Sequence, residues 1–356
     1  MKHTLRITIV VALSMLLGMP VLQAGNDNRR GTAGAPELLI NPWARSAGWG
    51  GVNVANSRGL ESFYTNVAGL SFTKSTEISY SYTNWFGGKS GINSGAAINA
   101  FGLAQRIFEK GVAGIYVMTM NFGNLPVTTV NKPEAGNDAT FSPTFMNLNV
   151  SYAHAFTHSI RGGMNIKIIS ESTNDVSGSG FGIDAGIQYV TGENDELKFG
   201  ISLKNWGPSL SFDGAGLSFT FNNENGNTVT GEYRSAECEL PTNLNIGVSY
   251  DFLFEKWNQR LTLAGSFTSN AFLKDNFILG LEYSLLDRLQ LRCGYVAQRD
   301  IFSKSNRTVV NDLSAGASFE LPLSKKEGAP TIVFDYSYRN AYPLKGTHSI
   351  GATIRL

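Results

Sequence analysis

Two cysteines and four histidines are all that the 356-residue chain contains of these residue types. A pair as sparse as Cys238 and Cys293 excludes a disulfide framework. His3, His154, His158 and His348 include no two at metal-ligand spacing, so no metal or other cofactor is expected. No Ser–His or Asp–His constellation can be assembled from strand parity, and an enzyme is not expected either. Charge is also scarce. Charged residues make up 16% of the chain, against roughly 25% in soluble domains. The net charge of +1 leaves no electrostatic footprint for nucleic acid or a strongly acidic partner. Beyond the N-terminus no run is apolar enough for a spanning helix, and mean hydropathy is -0.09.

What the chain does have begins at its start. Lys2 and Arg6 precede an apolar run from Ile7 to Leu17, Gly18 and Pro20 break it, and Ala24 offers a small residue for cleavage. This order marks residues 1–24 as a secretory signal peptide, with the mature chain starting near Gly25. Glycine reaches 39 residues and aromatics 11%. From Thr76 onward a design of about ten alternating residues followed by a turn repeats along the chain. Leu244, Ile246, Val248, Tyr250 and Phe252 take one face, and Asn243, Asn245, Gly247, Ser249 and Asp251 take the other. A soluble sandwich alternates too, but these strands approach the length of a tilted spanning strand, and aromatics gather near their ends.

The fold expected is all-β: a transmembrane antiparallel barrel of about 14 strands, spanning residues 76–356, preceded by a plug or hatch segment at 25–75. The strands are placed near 76–85, 95–108, 111–122, 142–156, 159–171, 180–190, 197–205, 241–252, 259–268, 276–286, 289–298, 309–321, 331–339 and 346–356. An even count puts both termini on the periplasmic side of a bacterial outer membrane. Short connections then fall inside and the two longest, 123–141 and 206–240, fall outside. Within the second, the alternating stretch 210–221 fits an outer hairpin or an extension of neighbouring strands.

The polar strand faces carry the candidate lumen lining. Arg161, Lys167 and Glu171 share one strand; Asp184 follows on the next, then Lys198 and Lys204; Asp335 lies near the C-terminus. Glu282 and Arg292 oppose each other if their hairpin has a three-residue loop, a pairing worth roughly 0.2–1 kcal/mol. These charges read either as ion pairs holding a narrow barrel shut or as a polar lining for a ligand, and the first is preferred because barrel lumens are polar by default. Phe122, Phe141, Trp206, Phe219 and Phe221 read equally as lipid-interface residues or as a partner-docking surface.

Residues 25–75 do not alternate. Their core runs Asn41-Pro42-Trp43-Ala44-Arg45-Ser46-Ala47-Gly48-Trp49-Gly50-Gly51, and further on Phe63-Tyr64-Thr65-Asn66-Val67-Ala68-Gly69-Leu70. Asn41, Pro42, Arg45, Gly48, Gly50, Asn66 and Gly69 are the candidate hatch residues. With the opening strand ending Tyr82-Thr83-Asn84-Trp85, these runs resemble the PorV/PorQ family of type IX secretion outer-membrane barrels, which is similar in turn to the long-chain fatty-acid transporters. The resemblance implies fourteen strands, an N-terminal hatch and a role in secretion through binding cargo or translocon proteins. Besides membrane lipid, the partners implied are secretion-system proteins or secreted cargo. Val67 stands where the transporters commonly have proline, which bears on the alternative, uptake of hydrophobic small molecules.

Overall fold

The computed structural model describes residues 29–86, 96–128, 132–133, 139–286, 288–298, 313–324, 329–341 and 346–356. The expected signal peptide lies outside these residues. Fourteen antiparallel strands form the wall. They are β1 Thr76–Trp85, β2 Ala96–Arg106, β3 Gly111–Asn121, β4 Thr144–Ala155, β5 Ile160–Thr173, β6 Val176–Thr191, β7 Leu197–Trp206, β8 Asn243–Phe254, β9 Gln259–Asn270, β10 Asn276–Leu285, β11 Leu289–Gln298, β12 Leu313–Pro322, β13 Thr331–Arg339 and β14 Thr347–Arg355. Each pairs with its neighbours in sequence, and β1 pairs with β14 in the register Glu77↔Arg355 to Asn84↔His348, closing the sheet. Closure removes every sheet edge within the lipid, as an apolar solvent demands. Among the described residues no helix is long and apolar enough to cross a membrane; the strands make the crossing.

Alternation decides which side chains meet lipid. Ile246, Leu279 and Ile350 point outward and are exposed, whereas Asn245, Ser249 and Ser349 point inward and are buried. Cys293 is on the outer face, as its parity requires. The β5–β6 hairpin is longer than expected: its strands meet across a two-residue turn at 174–175, so that Gly178 joins Gly180 and Gly182 in strand. Glycines there mimic a loop in sequence, yet in this wall they make room for outer-loop residues. Phe212 lies over Gly178 and Leu210 over Gly180. The alternating stretch after Trp206 divides. Ser211–Asp213 pairs with the outer end of β6, extending the wall, while Ser218–Asn222 and Thr228–Glu232 form a separate hairpin.

The route of the N-terminal segment corrects one expectation. β1 starts at the periplasmic end, as the loop pattern requires, but the described chain begins at the outer mouth. The Arg29 guanidinium pairs with Glu239 at 2.5 Å and lies 4.2 Å over the Phe272 ring, both in outer connections, and the Gly34 amide bonds the Glu239 carbonyl at 2.9 Å. From there the segment descends through the lumen to Thr76. Even strand parity fixes where the barrel strands begin and end; it does not constrain a preceding segment that runs inside the barrel. Thr32 is therefore expected to face the cell exterior. In a chain whose native cysteines are serine, Thr32→Cys should react on intact cells with a membrane-impermeant maleimide. Lys110→Cys, in an inner turn, should react only after the outer membrane is permeabilised; equal protection of both would refute this path.

Candidate functional site

Short helices punctuate the lumen segment: Pro36–Leu39, Ala44–Ala47, Gly59–Phe63 and Val67–Phe72. Polar side chains hold the turns between them. Asn41 accepts from the Trp43 amide at 3.1 Å and donates to the Ser46 hydroxyl at 2.8 Å, which itself donates to Asn53 Oδ1 at 2.7 Å. Pro42 is buried beside them. Gly50 adopts φ +71°, a turn conformation that strains other residues. Asn66 caps the last helix through the Ala68 amide and donates to the carbonyls of Val54 and of Ile187 on β6, each at 3.0 Å. Ser202 of β7 donates to the Thr65 carbonyl at 2.8 Å.

Backbone meets backbone where the segment touches the wall. Gly48 packs directly on Gly316 of β12, and a Cβ at Gly294 would collide with the Trp49 carbonyl. Gly69 is buried within the segment against Ser57 and Ser62. One sector of the lumen is apolar. Trp43, Leu60, Phe63 and Leu70 pack against Ile98, Ala100, Ala104, Val112, Tyr116 and Met118 of β2 and β3. β2 carries small or apolar residues on both faces, so parity alone gave no warning that its inner face would serve as a core.

The candidate lining charges fall into separate groups. Lys167 reaches Asp184 at 2.8 Å and donates to Asn205 Oδ1 at 2.5 Å; the Asn205 amide bonds the other Asp184 oxygen at 2.7 Å. This network sits where the β6–β7 register slips between Ile183 and Ala185, so the side chains knit an irregular seam. Lys204 is buried with its ammonium 3.7 Å from the centre of the Tyr64 ring. Arg161 lies at the inner rim over Phe72 and bonds the His158 carbonyl. Lys198, on the inner half of β7, is ion-paired with Asp251.

A second group crosses the far wall. Glu282 and Arg292 are directly opposed, and their pair measures 2.5 Å with the Arg292 side chain fully buried. Arg292 also donates to Ser318, which donates to Asp335, and Arg260 reaches Glu282 at 2.8 Å. Sequence reasoning missed the partners of Arg45. It pairs with Glu320 at 3.2 Å and lies 4.0 Å from Glu61, tying the segment to β12. Burial lowers the Arg45 pKa, but the carboxylates of Glu61, Asp335, Glu282 and Glu320 outweigh it and raise the net value. Burial raises Glu61 to about 6 against the pull of Arg45 and Arg292.

Glu37, also missed, is 1% exposed, and its carboxyl faces the Glu171 carboxyl and the Asn147 amide. Burial first, then the neighbouring Glu171 carboxylate, push its pKa up to about 8. Its one sequence signal is an acid inside the apolar run from Pro36 to Ile40. Between the segment's underside and the inner strand ends lies a cavity of about 480 Å³, lined by Arg58, Arg260, Asn53, Thr76 and Leu356 among others. At the opposite end the Ser218–Glu232 hairpin projects outward. Phe219 stacks between Phe221 and Tyr233, the latter two exposed. Phe122 instead packs on Phe145 beside the apolar sector, and Trp206 is exposed at the end of β7.

Known proteins resemble the chain in two ways. Solved structures that share the fold include two channels. The CymD monoaromatic hydrocarbon channel is 14% identical, with 89% of this chain and 97% of that one covered and a TM-score of 0.56. The Pseudomonas putida toluene transporter TodX is 12% identical, with 88% and 97% covered and a TM-score of 0.55. No curated protein sequence matches. The family model for the type IX secretion system protein PorV matches residues 23–270, most of the chain and well beyond the N-terminal motifs. The chain belongs to the PorV family and is an outer-membrane β-barrel of type IX protein secretion.

Proposed function

We propose that the barrel serves type IX secretion by binding secretion-system proteins or secreted cargo at its outer face, with residues 25–75 as a resident plug. The filled lumen carries this reading. Backbone-to-backbone packing at Gly48 and Gly294, the apolar sector on β2 and β3 and the Arg45 ion pairs occupy the space an open channel would need. The candidate charges then act as wall fastenings. The hairpin of Ser218–Asn222 and Thr228–Glu232 supplies a contact surface, because its strands pair only with each other among the described residues and its aromatics stand in solvent. An unpaired edge beside exposed aromatics suits capture of an extended segment of another protein.

Deleting 218–232 while leaving the barrel intact tests this. Secreted type IX cargo should fall severalfold in the medium and accumulate in the cell, with the barrel still folded in the outer membrane. Normal secretion together with lost uptake of a labelled hydrophobic solute would transfer the function to small-molecule transport, the reading that the channel-like fold of CymD and TodX favours.

A further inference from the structure

The cavity at the periplasmic end leaves several buried polar atoms of its wall unpaired, among them the acceptors Glu61 Oε2 and Asn56 Oδ1 and the donors Arg260 Nε and Asn53 Nδ2. Six basic and five acidic side chains line it. Most of the acids are engaged: Glu282 by Arg292 and Arg260, Glu320 by Arg45 and Arg355, Asp251 by Lys198 and Thr262, while Glu77 accepts the Leu60 amide. The donors are not exhausted. Among the described residues Arg58 has no hydrogen bond and no ion pair at contact distance, only the Phe72 ring 4.7 Å away. Arg58 is exposed to the cavity; desolvation by the surrounding wall and then Arg260 lower its pKa, with Arg161 and Arg45 adding to this against Asp251. Arg260 keeps its Nε without a partner although Nη2 holds Glu282. Asn53 is 1% exposed; its Oδ1 accepts from Ser46, and its Nδ2 has no acceptor. Buried donors without acceptors are uncommon in folded proteins, and two on one cavity wall, Arg260 Nε and Asn53 Nδ2, stand beside the exposed, unpaired Arg58 guanidinium and call for the same complement.

We propose that this cavity binds an oxyanion, the carboxylate or phosphate of a small periplasmic molecule, through Arg58, Arg260 and the Asn53 amide. A planar guanidinium resting on an aromatic ring presents its N–H edge to an incoming oxyanion in bidentate fashion. The inner strand ends at Thr76, Thr331 and Leu356 surround the opening, so the ligand enters from the periplasm and never meets the outer-face binding surface.

The test uses the full barrel in nanodiscs, titrated calorimetrically with inorganic phosphate and, separately, with succinate, chloride holding ionic strength constant. Saturable binding of at least one anion at one site per barrel is expected, and whichever binds assigns the oxyanion class. Arg58→Gln should weaken that binding tenfold or more, in line with the strength of charge-assisted hydrogen bonds; Arg58→Lys, which keeps the charge without the fork, should weaken it severalfold. Arg58 holds no structural ion pair, so both variants should keep the heat-modifiable mobility of a folded barrel. If neither anion binds saturably, or if both variants bind as the parent does, the proposal fails. Secretion defects from hairpin deletion would be unaffected by either result.

Discussion

Replacing Arg292 by leucine should destabilise the barrel by about 3–5 kcal/mol. The side chain is fully buried and satisfies three neighbours at once: Glu282 at 2.5 Å, Ser318 at 2.5 Å and Gln290 at 3.1 Å. Removing it leaves Glu282 only the partly exposed Arg260 and takes one partner each from Ser318 and Gln290, so the cost is that of under-compensated burial rather than of one lost contact. The companion measurement is the double variant Arg292→Leu with Glu282→Leu, which deletes both charges and should recover most of the loss. Chemical unfolding in detergent micelles reads both. A single variant within about 1 kcal/mol of the parent would mean that water, not the wall, solvates this pair.

Raising the pH should loosen the upper limb of the plug through Glu37. The groups facing Glu37 are the Glu171 carboxyl of β5 and the Asn147 amide of β4, with Leu38, Ile169 and Leu240 as apolar surroundings, and the Ala35 amide turned to Glu171. One proton shared between two carboxyls satisfies this arrangement; a second ionisation leaves like charges in contact. With the folded pKa at about 8 against 4.5, the folded state holds the extra proton. Its stabilising contribution is complete below pH 4.5, declines as pH rises at about 1.4 kcal/mol per unit, and is gone above pH 8. Glu37→Gln mimics the protonated carboxyl and should flatten this dependence. Proteolysis near Thr32 against pH should show the parent opening between pH 5 and 8.5 while the variant does not; parallel curves would contradict the shared proton.

Much of this was legible in alternation. A lipid-facing side chain at every second position placed fourteen strands, and strand parity with a three-residue loop brought Glu282 to Arg292. Alternation fails where both faces have the same character. Apart from Asn99 and the end at Gln105 and Arg106, β2 reads small and apolar on both faces, so the core it shares with Trp43 and Phe63 was invisible. Parity also says which face a charge takes but not its partner across the lumen. Arg45 and Glu320 lie 275 residues apart, joined only because an aperiodic segment folds back inside a closed sheet. Glu37 shows in sequence only as an acid in an apolar run, its partner Glu171 hidden for the same reason, and the outward path of residues 29–34 has no periodic signature.

That path bears on how the protein is built. The segment preceding β1 touches strands as distant as β6 and β12, and β1 is sealed to β14. A chain end cannot later be threaded past walls that meet its backbone at van der Waals distance. The segment from Arg29 onward must therefore be in place while the seam between first and last strands is still open. Biogenesis then becomes the shaping of a sheet around a mandrel already in place.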